Sequence, residues 1–248
     1  MTIQAQLNKV ALVTGGSRGI GAAIVRRLAR DGSAVAFTYS ASAQLARELV
    51  ARIEADGGRA LAIQADSADA VAVAGAVAAT VQAYGRLDIL VNNAGILTLA
   101  PIDSYPLEDF DRMLAVNVRA VFVAVQAALQ HMRSGARIVT IGSIAAERVG
   151  FATSSVYSMT KAAVATLVRG MAIDLAPRGI TVNNVQPGPT ETDMNPADNP
   201  HSEAIMALLP LKRLGQPGDI AGMVAYLVGP EAGFVTGASL SIDGGYTA

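Results

Sequence analysis

A single-domain, doubly wound α/β sheet is the fold this chain predicts, and three observations predict it. Short apolar runs alternate with longer amphipathic or alanine-rich segments from residue 10 to residue 242. A glycine-rich turn follows the first of those runs. No repeat, low-complexity tract or linker divides the 248 residues. Alternating strand and helix call for a mostly parallel sheet of about seven strands, because each parallel neighbour needs a crossover helix to bring the chain back. Right-handed crossovers then put helices on both faces.

Each element has its own local reason. Residues 10–14 (VALVT) read as a buried strand, and GGSRGIG turns the chain into a helix that Gly32 closes. AVAFTY at residues 34–39 is the second strand, followed by an amphipathic helix over 44–56 that stops at Gly57-Gly58. Residues 60–64 make a third strand and 67–84 a helix rich in alanine and valine. DILV at 88–91 starts a fourth strand that runs into NNAG. One long helix is expected over 107–132, a strand at 137–141 (RIVTI) and a helix at 155–175. A sixth strand at 180–185 leads into the proline-rich loop QPGPTETDMNPADNP. Helices near 202–209 and 217–228 and a last strand at 240–242 complete the set.

Composition narrows the chemistry. Zero cysteines exclude disulfides, thiolate catalysis and zinc–thiolate sites. Two histidines, His131 and His201, are too few for a His-rich metal centre, and His131 near a helix end is read as solvated or dipole-compensating. A net charge of −1 gives no general attraction to nucleic acid or membrane, and no apolar run is long enough to span a bilayer. With no basic stretch leading an apolar one at the N-terminus, a soluble cytoplasmic protein is expected. Hydrophobic residues at 52% and charged residues at 16% leave room for a large core and for subunit contact.

The stretch 141–161 carries the chemistry. Tyr157 and Lys161 are four apart, so on a helix they share a face. A phenol ordinarily titrates at about 10, and an ammonium beside it is expected to pull that value down towards the working range. Ser143, upstream of the helix, can hydrogen-bond a substrate oxygen. Such a set suits proton transfer to or from a carbonyl or alcohol oxygen and needs a hydride partner. The turn at residues 14–21 can supply its site: glycines allow close backbone approach, and a helix N-terminus favours a pyrophosphate. Its spacing is G-x-x-x-G-x-G rather than G-x-G-x-x-G. The second strand ends in Thr38-Tyr39-Ser40 with no acid to meet a ribose 2′-hydroxyl, and Arg18 lies nearby; this favours NADP over NAD.

Together TGGSRGIG, Asp66, NNAG at residues 92–95, Asn117, Ser143, YSMTK at 157–161 and PGPTETDM at 187–194 resemble the short-chain dehydrogenase/reductase family over essentially the whole chain, to IDGG at 242–245. The resemblance implies a catalytic set of Asn117, Ser143, Tyr157 and Lys161. Tyr157 would be the general acid and Ser143 would hold the carbonyl oxygen. Lys161 would lower the tyrosine pKa and bind the nicotinamide ribose, and Asn117 would keep a relay water. It also implies NADP(H) held by Gly15, Ser17, Arg18, Gly19, Ile20 and Gly21 at the pyrophosphate, with Tyr39 and Ser40 beside the ribose. Asp66 and Ser67 would meet the adenine, and Asn93, Ala94 and Gly95 the adenosine half. Pro187, Gly188, Thr190 and Thr192 would lie over the nicotinamide and phosphates. Ser143 and Tyr157 are fourteen apart where many members have thirteen.

The expected substrate is a ketone, reduced to a secondary alcohol, in a partly apolar site bordered by Leu97, Glu147, Val149, Phe151 and residues 194–206. Two alternatives stand beside it. The chain resembles 3-oxoacyl carrier-protein reductases, but Ile173 stands where their pattern has an arginine. FTYSAS, VQPGPTETDMNPADNP and the segment 215–238 also resemble a family member that binds cyclic-di-GMP, a non-catalytic regulator reading. The apolar C-terminal run and the family resemblance imply a homotetramer, with no nucleic acid, membrane or metal.

Overall fold

The computed structural model describes residues 8–196 and 202–248. The strands are β1 (Val10–Val13), β2 (Ala34–Tyr39), β3 (Arg59–Gln64), β4 (Ile89–Asn92), β5 (Arg137–Ile141), β6 (Thr181–Pro187) and β7 (Ser239–Ile242). They form one sheet in the order β3-β2-β1-β4-β5-β6-β7, and every neighbouring pair is parallel. Strand order reverses at β1, which lies between β2 and β4. The loops leaving β1 and β4 therefore separate there and open a crevice at their carboxyl ends.

Burial on both faces explains why the central strands are continuous apolar runs. Ala11, Val13, Phe37, Val91, Val139 and Val185 face one layer, with α1 (Gly19–Arg30), α2 (Ala43–Ala55) and α8 (Pro217–Val228) packed on it. Leu12, Ala36, Leu90, Ile138 and Val182 face the other, against α3 (Ala70–Tyr84), α5 (Ala120–Ala128) and α6 (Ser155–Leu175). This alternation is the two-residue period of a strand split between two helix layers. Of the remaining helices, α4 (Leu107–Leu114) precedes α5, and α7 (Ser202–Leu208) follows the proline-rich loop. Among the described residues no helix is long and apolar enough to cross a membrane.

The single helix expected over 107–132 is corrected by the structure. A π turn, Ala115–Arg119, separates α4 from α5, and α5 ends at Ala128. Its cause is at Asn117, described below. The far end tightens instead of continuing, because the His131 N–H donates to the Ala128 carbonyl three residues back. β6 runs past its expected end to Pro187, because β7 pairs with it through Gln186↔Ser241 and Pro187↔Ile242. α3 starts later than expected, at Ala70, where the Asp69 carboxylate accepts from the Val71 and Ala72 N–H groups and caps the helix.

Candidate active site

The glycine turn is held open by its neighbours. The Gly15 N–H donates to Thr38 Oγ1 at 2.9 Å and the Gly16 N–H to the Thr38 carbonyl at 2.8 Å, tying the turn to β2. On the other side Thr14 Oγ1 accepts from the Asn93 and Ala94 N–H groups, both at 3.0 Å, and Asn93 Nδ2 donates to the carbonyls of Thr14 and Gly15. Gly15 has φ +64°, a conformation that favours glycine, and a Cβ on Gly21 would collide with the Gly15 carbonyl oxygen. The first turn of α1 has no side-chain cap and no acidic residue, so its N–H groups remain available to an anion. The turn is thus a backbone cradle whose walls are held by β2 and the end of β4.

The loop after β6 folds over that cradle. Thr192 is the nearest neighbour that a Cβ on Gly19 would meet, 3.6 Å away, and the Arg18 guanidinium reaches Asp193 at 3.5 Å. Thr190 is buried, and its hydroxyl donates to the Gly188 carbonyl at 2.9 Å, so it fastens the loop to itself. The donated bond leaves the hydroxyl's lone pairs, so Thr190 can still accept from an N–H of a ligand. Arg18 and Ser40 are exposed and Tyr39 half-buried, at the open end of the crevice. Asp66 turns one oxygen to the Ala68 N–H and sets the other 3.6 Å from Arg112, a residue the sequence reading missed.

Tyr157 and Lys161 occupy successive turns of α6, with the Lys161 Nζ 5.6 Å from the tyrosine ring centroid. The ammonium donates to the Ile141 carbonyl at 3.1 Å. A Cβ on Gly95 would lie 3.5 Å from that Nζ and 3.4 Å from Asn117 Oδ1, so the end of β4 reaches the same point. Ser143, at the end of β5, accepts from the Ala145 N–H at 3.1 Å and hydrogen-bonds the Tyr157 hydroxyl.

The electrostatics depart from expectation. Burial pushes the Tyr157 phenol above its ordinary value, and the hydrogen bond with Ser143 offsets this only in part. The expected net lowering by Lys161 is not found. Lys161 is itself 6% exposed, and burial brings its ammonium down to about 8. Taking both groups from water penalises phenolate and ammonium alike, and desolvation dominates each.

Asn117 sits inside the π turn. Its side chain is 2% exposed; Oδ1 accepts from the Ile96 N–H at 2.9 Å, and Nδ2 donates to the Ile96 carbonyl at 3.0 Å and to Thr160 Oγ1 at 3.1 Å. The amide thus acts as a surrogate strand partner for Ile96, and the helix opens into the π turn where it does so. Thr160 Oγ1 in turn donates to the Tyr157 carbonyl at 2.7 Å, so Asn117 braces the tyrosine's helix. Asn117→Ala is expected to cost about 2–4 kcal/mol, since it strands the Ile96 N–H and carbonyl, and urea unfolding would measure the loss.

Thr14, Thr38, Thr160 and Arg112 were not singled out from sequence. Hydroxyl residues at strand ends and in helices are too common to signal a role without their partners. Glu147 was placed beside the substrate, but it lines a separate cavity of about 350 Å³ with Ala162, Thr166, Arg169 and Gln186, which contains neither Ser143 nor Tyr157. His131 is exposed, and His201 lies outside the described residues.

Residues 15–247 match a family model described as enoyl-(acyl carrier protein) reductase. The chain is 45% identical over 240 residues to the cyclic-di-GMP-binding biofilm dispersal mediator protein of Escherichia coli K12, covering 97% of this chain and 98% of that one. It is 41% identical over 250 residues to versicolorin reductase 1 of Aspergillus parasiticus, covering 96% and 95%. A short-chain dehydrogenase from Burkholderia cenocepacia J2315, solved in complex with NADP, superposes with a TM-score of 0.97 at 54% identity, covering 98% of this chain and 100% of the other.

Proposed function

From the premise that this chain belongs to the short-chain dehydrogenase/reductase family, we propose that it is an NADPH-dependent ketone reductase with Tyr157 as its general acid. One observation carries the reading: a half-buried tyrosine, its phenol hydrogen-bonded to Ser143 and one turn from a buried Lys161, beside the glycine cradle at the strand switch point. NADP(H) fits the cradle, whose backbone approach at Gly15 and Gly21 leaves no room for side chains. Arg18, Tyr39 and Ser40, with no acid among them, suit a 2′-phosphate. The Burkholderia structure with NADP supports the same cofactor here.

Bound NADPH supplies the hydride. Ser143 orients the ketone oxygen, and Tyr157, a phenol protonated at neutral pH whose pKa burial raises further, delivers the proton to that oxygen as the alcohol forms. Lys161, at the crossing of α6, Ile141 and Gly95, holds positive charge beside the tyrosine as it loses its proton and is placed to meet a ribose hydroxyl. Asn117 keeps α6 in register through Thr160. Gly15, Ser17, Gly19, Ile20 and Gly21 would surround the pyrophosphate. Asp66 and Ser67 would stand at the adenine, with Asn93, Ala94 and Gly95 along the adenosine half. Pro187, Gly188, Thr190 and Thr192 would close over the nicotinamide and phosphates.

The first test follows NADPH and NADH oxidation separately against a panel of small, β-keto-ester and cyclic ketones. NADPH oxidation well above NADH oxidation supports the reading; no turnover with NADPH bound removes it. The Escherichia coli relative's name favours a second reading, a cyclic-di-GMP binder. Binding of that dinucleotide that NADPH fails to displace would favour it. A carrier-protein reductase is disfavoured because α6 presents Ile173, 77% exposed, rather than a basic side chain. Phe122, Ile173 and Phe234 are apolar and exposed, which supports a homotetramer. Light scattering at micromolar concentration should give four times the 25.4 kDa chain mass.

A further inference from the structure

The last turn of the chain touches three separate segments that border the candidate site. Tyr246 is 8% exposed and packs with Ile144, Leu209 and Leu214 in a small cluster apart from the two main cores, and Ile205 and Met206 lean on it. Ile144 is the neighbour of Ser143, and Ile205 and Met206 belong to α7. The Arg148 guanidinium stacks 4.9 Å from the Tyr246 ring centroid and donates to the Tyr246 carbonyl at 2.8 Å. At Gly150 a Cβ would stand 2.8 Å from the Tyr246 hydroxyl oxygen, so the loop between Ser143 and Tyr157 is pressed directly onto the ring.

The turn is self-supporting. The Asp243 carboxylate accepts from the Gly245 N–H at 3.0 Å, the Thr247 N–H at 2.9 Å and the Thr247 hydroxyl at 2.6 Å. Burial opposes its charge, yet these bonds leave the Asp243 pKa lowered, so the knot is ionised and closed through the neutral range. Asp243 also lies against the loop after β6, where a Cβ on Gly188 would fall 2.6 Å from Asp243 Cα. The Leu211 N–H donates to the Gly244 carbonyl at 3.3 Å, which ties the segment after α7 to the same turn.

We infer that this C-terminal knot sets the width of the substrate site, with Tyr246 as its positioning residue. The inference rests on the ketone-reductase reading for its kinetic consequence. Tyr246 reaches the chemistry through others: through Ile144 and Arg148 it fixes the loop carrying Ser143, and through Leu209 and Leu214 it fixes the flap formed by α7. Neither segment belongs to a strand of the sheet; beyond the Leu211–Gly244 and Ala100–Thr153 backbone bonds, each leans on side-chain contacts for its place. The glycine turn has separate supports in Thr14 and Thr38. Loss of the ring should therefore loosen ketone binding and spare the cofactor.

The test compares Tyr246→Ala, Tyr246→Phe and Arg148→Ala in the full-length protein. Tyr246→Ala and Arg148→Ala should raise KM for a bulky ketone about tenfold. For a small ketone kcat should stay within about twofold, and NADPH Kd should not change. Tyr246→Phe keeps ring and stacking and should behave as wild type. Hydrogen exchange should quicken in residues 144–153 and 203–211 of the two alanine variants and stay unchanged over 14–25. Unchanged exchange in those two segments overturns the inference, as does an NADPH Kd that weakens in step with KM. If the wild-type protein reduces no ketone, the reductase reading fails, and the exchange pattern still decides whether Tyr246 holds the two segments.

Discussion

Tyr157→Phe is expected to lower NADPH-dependent ketone reduction by about 10²–10⁴-fold, the usual contribution of a positioned general acid. The substitution removes one oxygen and leaves the ring that packs in α6 one turn from Lys161, so NADPH affinity should remain within about threefold. The loss should fall on kcat and kcat/KM together, because a proton delivered only as the alcohol forms stabilises the transition state and not the bound ketone. Steady-state kinetics with NADPH binding by fluorescence would separate these terms. A variant that retains a tenth of wild-type kcat would rule out Tyr157 as the proton donor. In the wild type, burial keeps the phenol protonated through neutral pH, so reduction should not fade as pH rises from 6 to 7. It should decline as pH climbs through about 8, where Lys161 gives up its charge.

Lys161→Met is expected to do two opposite things: abolish most turnover and make the protein more stable at pH 7. The ammonium titrates at about 8 in the fold against about 10.4 in an unfolded chain. Here the folded value is the lower one, so below about 8 the folded state carries the full cost of a buried charge. That cost, about 3 kcal/mol, vanishes as pH rises from about 8 to about 10.4, because the unfolded chain binds more protons throughout that interval. Methionine fills similar space without a charge but forgoes the charge-assisted hydrogen bond to the Ile141 carbonyl, worth about 2 kcal/mol. A net gain of about 1 kcal/mol should appear in urea unfolding at pH 7 and be gone at pH 10. A variant less stable than wild type at pH 7 would mean that the charge is better solvated than its burial indicates. The predicted gain would mean instead that the lysine is retained for chemistry at the expense of the fold.

Much of the architecture was legible because its causes are local. The runs AVAFTY and RIVTI begin and end at polar or glycine punctuation, and their strands occupy the residues expected of them. The helix over Ser155–Leu175 was also read to the residue, which put Tyr157 and Lys161 on one face before any coordinates. The helix over 107–132 was misread because its interruption is not local. Helical propensity favours a continuous rod, and only the distant Ile96 backbone, needing partners for its N–H and carbonyl, opens the π turn at Asn117.

The sequence by itself determined the sheet, the place of the glycine turn and the helix that sets Tyr157 one turn from Lys161, since period, punctuation and spacing are properties of neighbouring residues. The tertiary structure alone decided how these groups titrate, because desolvation depends on what other elements lay over them. It likewise decided that Asn117 braces α6 through Thr160, that Glu147 faces another cavity, and that Arg148 and Tyr246, 98 residues apart, close on one another. Burial and hydrogen-bond partners come from chain segments far apart in sequence, and only the folded packing brings them to one place.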